Sequence, residues 1–172
     1  MLALPGSAYL YQGEELGLHE VPDIPVELLQ DPVYARTAGA EKGRDGCRVP
    51  LPWTAEGPSF GFGFGSGPAH LPQPPWFGPL SVQAQERDPA STLRLYRDAL
   101  RWRHKLQASE TMEWLPGTNG QVLHFARPGG WRCVTNFGPG PVPLPEGTVV
   151  LTSAPVEGSQ LPADTAAWLL SR

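Results

Sequence analysis

The first apolar pattern in this chain is a short continuous run near its start. Residues 7–11 are small or apolar, with a Pro-Gly pair before them and Gln-Gly after them. A continuous apolar run of this length is typical of a parallel strand that is covered on both faces. The sequence therefore predicts a buried strand over residues 7–11.

A long region without clear periodicity follows this predicted strand. Residues 26–29 are its best helical fragment, and residues 50–79 are dense in glycine, proline and aromatic residues. Residues 60–65 alternate phenylalanine with glycine but form no true repeat. A connection of this length is uncommon inside a compact domain unless it has a function.

The clearest helical pattern covers residues 88–105. Asp88 is a good N-cap and Pro89 suits the first helical position. Four side chains fall on one stripe at helical spacing, which are Leu93, Tyr96, Leu100 and His104. The last turn is rich in cations, which the helix dipole favours.

Beyond residue 111 the pattern becomes strand-like. Short runs of β-forming residues are separated by Pro-Gly, Asn-Gly and Gly-Gly pairs, and Asn119-Gly120 is a good hairpin turn. The predicted strands are residues 112–115, 122–126, 131–136, 148–152 and 165–170. This pattern predicts a small antiparallel sandwich.

Composition excludes several classes of function. The formal net charge is −4 and there is no run of basic residues, so nucleic acid is not an expected partner. No apolar stretch has membrane-spanning length, and we expect no signal peptide in the first residues. The chain has only 2 cysteines, which give neither a disulfide framework nor metal-ligand spacing. We therefore expect a cytoplasmic protein without a cofactor.

Three blocks, in this order, carry a family resemblance. They are Ala-Tyr-Leu-Tyr-Gln-Gly-Glu-Glu at residues 8–15, Gly-Arg-Asp-Gly-Cys-Arg-Val-Pro-Leu-Pro-Trp at residues 43–53, and the helix at residues 93–103. Together they resemble the α-amylase superfamily of glycoside hydrolases, most closely the α-glucosidases of oligo-glucosidase type. The resemblance is weaker in the β-forming region.

The resemblance implies a fold and a division of the chain. The fold class is α/β plus all-β: the terminal βα segment of a (β/α)8 barrel followed by a small antiparallel β-sandwich domain. Residues 1–109 would be the last βα unit of the catalytic barrel with its long active-site loop, and residues 110–172 the C-terminal β domain. The remainder of the barrel would be needed for activity.

The resemblance also implies one substrate-binding residue. Arg44 matches the arginine that binds the non-reducing glucose, with pairing to a carboxylate as its structural alternative. Asp45 and Arg48 are expected to shape the loop, and Trp53 to be a packed anchor. The nucleophile, the acid and the supporting aspartate of the family match no residue here, so we assign no catalytic residue and no metal site.

Glu14 and Glu15 do not replace the missing carboxylates. Neighbours on an extended strand point to opposite faces, so this pair is expected to be structural. The histidines (His19, His70, His104 and His124) are far apart, and packing or surface roles are expected for them. Cys47 lacks an adjacent histidine, and the run at residues 60–65 suits loop packing better than sugar stacking.

Three interpretations of function stay open. The chain is a fragment of a retaining α-glucosidase that is inactive alone, or a non-catalytic carbohydrate-binding or assembly module, or a fragment of a related glucosyltransferase or isomerase. The expected ligand of the parent enzyme is an α-glucoside oligosaccharide. The residues that set α-1,4 against α-1,6 preference have no counterpart in this sequence.

Overall fold

The computed structural model describes residues 1–63 and 65–171. By internal packing the chain forms two compact units. Met1–Tyr9 with Leu95–Arg172 make up the sheet unit, and Leu10–Arg94 make up the loop unit. The predicted division into barrel and β domain at residues 109 and 110 stays a prediction.

The described residues of the loop unit form short helical elements in addition to the start of the last helix. Its α-helices are α1 (Val33–Arg36), α2 (Val82–Glu86) and the beginning of α3 (Thr92–Leu106). Its 3₁₀ turns are Glu14–Leu16, Val26–Leu28, Asp45–Cys47, Pro58–Gly61 and Pro75–Phe77. The predicted helical fragment at residues 26–29 is thus a single 3₁₀ turn.

An apolar cluster and one buried amide hold the loop unit together. Val21, Ile24, Leu71 and Phe77 are buried against one another in this cluster. Gln85 is 6% exposed, and its side-chain amide donates to the carbonyl of Leu16 at 2.8 Å. Its side-chain oxygen accepts from the backbone N–H of Leu93 at 2.9 Å. The Gln85 side chain therefore links the segment around Leu16 to the start of α3, although no sheet connects them.

The prediction of a buried strand over residues 7–11 is wrong for this structure. No described strand contains residues 7–11 or pairs with them, and Tyr9 is 84% exposed. A strand is defined by hydrogen bonds to a neighbour, so an apolar run alone does not make one. Trp53 also differs from its prediction as a packed anchor, because it is 51% exposed.

Helix α3 begins later than predicted. The hydroxyl oxygen of Ser91 accepts from the backbone N–H of Arg94 at 3.2 Å, which makes Ser91 the capping residue. Asp88 instead accepts from the N–H of Ala90 at 2.8 Å, in the turn before the helix. Of the predicted stripe, Leu93 is buried but Leu100 is 41% exposed. Within the described helices none is long and apolar enough to cross a membrane.

The sheet unit confirms the predicted antiparallel β structure. Its strands are β1 (Glu113–Trp114), β2 (Val122–Arg127), β3 (Trp131–Asn136), β4 (Val142–Pro143), β5 (Thr148–Thr152), β6 (Gln160–Leu161) and β7 (Thr165–Leu170). One antiparallel sheet has the order β1-β2-β3-β7-β5, and β4 pairs with β6 in a second. All five predicted strands are present within two residues at each end.

Alternating side chains bury both faces of the larger sheet. On one face Trp131 and Trp168 pack with Ala99 of α3. On the other face Val134 and Leu169 belong to a separate cluster that also contains residues of β4 and β6. This alternation is what the period of two predicts for a sheet covered on both sides.

Two arginines of the sheet unit bind its N-terminal segment. Arg103 donates to the carbonyl oxygens of Leu2 and Leu4 at 2.6 and 2.7 Å. Arg127 donates to the carbonyl of Ala3 at 2.8 Å. Burial, followed by the charge of Arg103, lowers the pKa of the Arg127 guanidinium. These bonds hold residues 2–4 in an irregular conformation.

Candidate functional site

Asp31 organises the loop that carries the candidate substrate residue. Its carboxylate accepts from the backbone N–H groups of Val33 and Arg44 at 3.0 and 3.1 Å, and pairs with Arg48 at 3.0 Å. The two backbone hydrogen bonds, and to a lesser degree the charges of Arg48 and Arg44, lower the pKa of Asp31. One side chain therefore joins the start of α1 to the segment around Arg44.

Gly43 lets the chain pass close to this carboxylate. Its φ is +80°, and a Cβ at this position would lie 2.6 Å from the Cγ of Asp31. A residue with a side chain would meet both backbone strain and a steric clash there. The loop conformation that presents Arg44 thus depends on a glycine.

Asp45 anchors the same loop from inside. It is 2% exposed, and its Oδ2 accepts from the backbone N–H groups of Gln30 and Asp31 at 2.6 and 2.8 Å. A carboxylate that receives two backbone N–H donors while buried is strongly constrained. Asp45 therefore shapes the loop, as expected from the sequence.

Replacing Asp45 by alanine should lower the free energy of unfolding of the loop unit by about 3 kcal/mol, because two buried N–H donors lose their acceptor. Urea unfolding followed by circular dichroism measures this change. Asp45→Asn keeps an oxygen at the same place, so it should cost about 1 kcal/mol. Equal losses in the two variants would mean that the two hydrogen bonds contribute nothing.

Arg44 is exposed and lines a cleft of about 750 Å³. The cleft is formed by residues 31–48 alone, and its other charged residues are Asp31, Arg36, Glu41, Lys42 and Arg48. The Asp31 carboxylate forms its ion pair with Arg48, and the Arg44 side chain is exposed to solvent. The arrangement suits recognition of a ligand rich in oxygen atoms.

Comparison with known proteins identifies the family of this chain. Residues 1–111 match the family model described as alpha amylase, catalytic domain. The chain belongs to the α-amylase family. A probable α-glucosidase of Rhizobium meliloti (strain 1021) is 38% identical over 129 residues, which are 74% of this chain and 22% of the relative.

Two further relatives of the α-amylase family extend this result. An oligo-1,6-glucosidase of Saccharomyces cerevisiae is 28% identical over 130 residues, covering 60% of this chain and 21% of the relative. The crystal structure of the α-glucosyl transfer enzyme XgtA superposes with a TM-score of 0.73 at 33% identity, covering 95% of this chain and 32% of XgtA. The chain thus spans about a fifth of the length of these curated relatives.

Glu14 and Glu15 lie on a 3₁₀ turn of this α-amylase family chain, not on a strand. The alternation of strand side chains therefore does not separate them. The carboxylate of Glu15 accepts from the backbone N–H of Gly13 at 2.9 Å, which ties it to its own turn. This contact gives Glu15 a local structural role.

Most of the remaining candidates do not gather around Arg44, but the thiol of the exposed Cys47 donates to the Arg44 carbonyl at 3.1 Å. Phe60 packs against the core cluster of the loop unit, Phe62 is 45% exposed, and Phe64 lies outside the described residues. His124 is buried in the sheet unit, where its Nδ1 lies 3.0 Å from the carbonyl oxygen of Pro116. No group of three metal-binding side chains occurs over residues 1–63 and 65–171.

Asp31 is the residue of the candidate site that sequence reasoning missed. It stands directly before Pro32 at the start of α1, which is a recognised signal for the beginning of a helix. The signal predicts the bond to the Val33 N–H but not the bonds to Arg44 and Arg48. Those two contacts depend on how residues 31 and 43–48 meet in space.

The two cysteines should react at very different rates. Cys47 is exposed, whereas Cys133 is buried, and burial raises the pKa of the Cys133 thiol to about 11. A disulfide reagent near pH 8 should modify one thiol in the folded chain and the second only after unfolding. Because the folded pKa is raised above the ordinary value of 9.0, stability should fall as pH rises from about 9 to about 11.

The control for this pH dependence is Cys133→Ala, which should remove the loss of stability between these pH values. Rapid modification of two thiols in the native chain, measured by the absorbance of the released group, would contradict burial of Cys133.

Proposed function

We propose that this chain is part of a retaining α-glucosidase that hydrolyses terminal α-glucosidic bonds of oligosaccharides. The family match of residues 1–111 and the exposed position of Arg44 on the cleft support this function. In this proposal the nucleophile and the acid come from the remainder of the barrel. The 172 residues contribute the wall of the sugar site that carries Arg44.

The exposed guanidinium group of Arg44 on the cleft is the observation that carries the proposal. A guanidinium group offers a planar fork of N–H donors to neighbouring sugar hydroxyl oxygens, and it stays charged at every working pH. The bond from the Arg44 N–H to Asp31 fixes its backbone, while the side chain extends into the cleft. In barrel enzymes the loops after the strands form the active site, which is where the family places this loop.

We further infer that the protein works in the cytoplasm. Both cysteines are unpaired, and Cys47 is exposed. Cytoplasmic reductants keep such thiols reduced, whereas secreted proteins more often use them in disulfides.

The isolated chain should not turn over α-glucosides. A retaining glycosidase needs two carboxyl groups about 5–5.5 Å apart, one as nucleophile and one as acid. The only adjacent pair in the family blocks, Glu14 and Glu15, lies on a tight turn where Glu15 is bonded to Gly13. Incubation with maltose, isomaltose and p-nitrophenyl α-glucoside tests this directly, and glucose release by the pure chain would overturn the proposed division of the site.

A transferase reaction is the second candidate. XgtA, at 33% identity over 95% of this chain, is named as an α-glucosyl transfer enzyme. Hydrolysis and transfer share the glucosyl-enzyme intermediate and differ in whether water or a sugar hydroxyl accepts the glucose. Analysis of the products from maltose by the whole enzyme separates the two, because transfer yields longer or rearranged oligosaccharides.

A non-catalytic binding role rests on the sheet unit. Trp114 is 56% exposed on β1, and its ring lies edge-on to Phe125 at 5.8 Å. A fixed and exposed indole ring can stack on the apolar face of a sugar. Binding of a malto-oligosaccharide by the inactive chain, lost in Trp114→Ala, would favour this role over the glucosidase proposal.

A further inference from the structure

Among the described residues, the guanidinium group of Arg44 has no partner that fixes its direction. The side chain is exposed and lines the cleft, and it forms no hydrogen bond or ion pair with residues 1–63 or 65–171. The direction in which this side chain leaves the chain is therefore set by the backbone of residue 44. Whatever holds that backbone decides where the donors of Arg44 point.

The backbone around Arg44 has an uncommon conformation. Arg44 has a φ of −114° and a ψ of 16°, in the sparsely populated region between helix and strand. Gly43 before it has a φ of +80°, in the left-handed region that favours glycine. A 3₁₀ turn begins at the next residue, Asp45. A backbone of this kind keeps its conformation only where contacts from other parts of the chain determine it.

Asp31 supplies such contacts from outside the segment. Its Oδ2 atom accepts from the backbone N–H of Arg44 at 3.1 Å and from the guanidinium group of Arg48 at 3.0 Å. The Asp31 side chain is only 8% exposed, and its backbone N–H donates to the buried Asp45 at 2.8 Å. One carboxylate therefore fixes the backbone of residue 44, which lies 13 residues further along the chain.

We propose that Asp31 is a positioning residue for sugar binding, because its carboxylate holds the backbone from which the Arg44 guanidinium extends into the cleft. The inference rests on the proposed function, since Asp31 affects the recognition of glucose only through Arg44. The ion pair with Arg48 restrains the carboxylate that does this. A misplacement of about 1 Å at a positioning group can lower a rate about 100-fold, so loss of this backbone bond should reduce activity.

A second bond of Asp31 provides a matched control. Its Oδ1 atom accepts from the N–H of Val33, two residues further on, at 3.0 Å, which is a local turn contact. Asp88 makes the same local contact with the N–H of Ala90 at 2.8 Å, and none of its described bonds reaches Arg44. Asp88→Ala therefore removes a local contact alone, whereas Asp31→Ala removes the local contact and the bond to Arg44.

Amide hydrogen exchange in the full chain, followed by 15N NMR, tests whether Asp31 holds residue 44. Asp31→Ala should speed the exchange of the Arg44 amide about tenfold, because its acceptor is lost, and Asp88→Ala should leave it unchanged. The amides of Gln30 and residue 31 donate to Asp45, and their unchanged exchange verifies that the loop stays folded. An Arg44 amide that exchanges within about twofold of its wild-type rate in Asp31→Ala would overturn the proposal.

The effect on sugar binding is measured in a chimera, in which this chain replaces the matching segment of the probable α-glucosidase of Rhizobium meliloti. Asp31→Ala should lower kcat/KM for maltose about tenfold, but less than about twofold in the Arg44→Ala background, where no guanidinium is left to position. Asp31→Asn retains one acceptor oxygen and should lose only about threefold. The controls are Asp88→Ala and Arg101→Ala, which changes an exposed arginine of α3, and both should leave kcat/KM unchanged.

The pattern of losses separates this inference from the proposed function. If Arg44→Ala itself leaves kcat/KM unchanged, the substrate-binding role of Arg44 fails, and with it any effect of Asp31 on sugar binding. If Arg44→Ala lowers kcat/KM but Asp31→Ala acts equally in both backgrounds, the damage is to the fold, and only the positioning role is wrong. Faster amide exchange together with a kinetic effect confined to the chimera that keeps Arg44 supports both proposals.

Discussion

Replacing Trp131 by alanine is expected to lower the free energy of unfolding of the sheet unit by about 4 kcal/mol. Trp131 is 2% exposed, and its ring centre lies 5.1 Å from that of Trp168. Its indole N–H donates to the carbonyl of Leu106 at 3.0 Å, and the Arg127 guanidinium lies 5.6 Å from its ring centre. The substitution leaves a large cavity and removes a hydrogen bond at the same time.

Urea unfolding followed by circular dichroism measures this loss, and two variants separate its causes. Trp131→Phe keeps much of the apolar volume but removes the indole N–H, so it should cost about 2 kcal/mol. Trp114→Ala removes an indole that is 56% exposed and should cost less than about 1 kcal/mol. If Trp131→Ala cost no more than Trp114→Ala, Trp131 would not lie in the core.

The strands of the sheet unit could be predicted because their pattern is local. In β3, Trp131 and Cys133 belong to one apolar cluster and Val134 belongs to the other. The sequence itself therefore shows which side chains point to which face of the sheet. The pairs Gly129-Gly130 and Asn119-Gly120 mark two of the connections between strands. The Asn119 side-chain oxygen accepts from the N–H groups of Gln121 and Val122 at 2.8 and 3.0 Å, which is the local bonding that favours asparagine in turns.

The segments outside the antiparallel sheet were predicted less well because their structure depends on distant contacts. Residues 7–11 have the composition of a buried strand, but strand formation needs a partner that no local pattern reveals. The first residue of α3 was also predicted wrongly, because the sequence offers two capping residues close together. Asp88 and Ser91 are both good capping residues, and only the bond from the Arg94 N–H to Ser91 decides between them.

The candidate site was predicted in its residues but not in its geometry. The resemblance indicated Arg44, Asp45 and Arg48 as members of one block. It did not indicate that Asp31 accepts from Arg44 and Arg48, or that Gly43 is needed for the close approach to Asp31. Such contacts join two parts of the chain, so no spacing rule predicts them.

The substrate-binding role of Arg44 is the central claim, and a chimera tests it most directly. The matching segment of the probable α-glucosidase of Rhizobium meliloti, 38% identical over 129 residues, is replaced by this chain. We expect the chimera to hydrolyse maltose, since the catalytic carboxylates then come from the relative.

In this chimera the measurement is kcat/KM for maltose with Arg44, with Arg44→Ala and with the control Arg101→Ala. Arg44→Ala should lower kcat/KM about 100-fold, because charge-assisted hydrogen bonds to the reacting glucose are lost, and Arg101→Ala should leave it unchanged. An active chimera in which Arg44→Ala keeps kcat/KM within about twofold would contradict the substrate-binding role of Arg44.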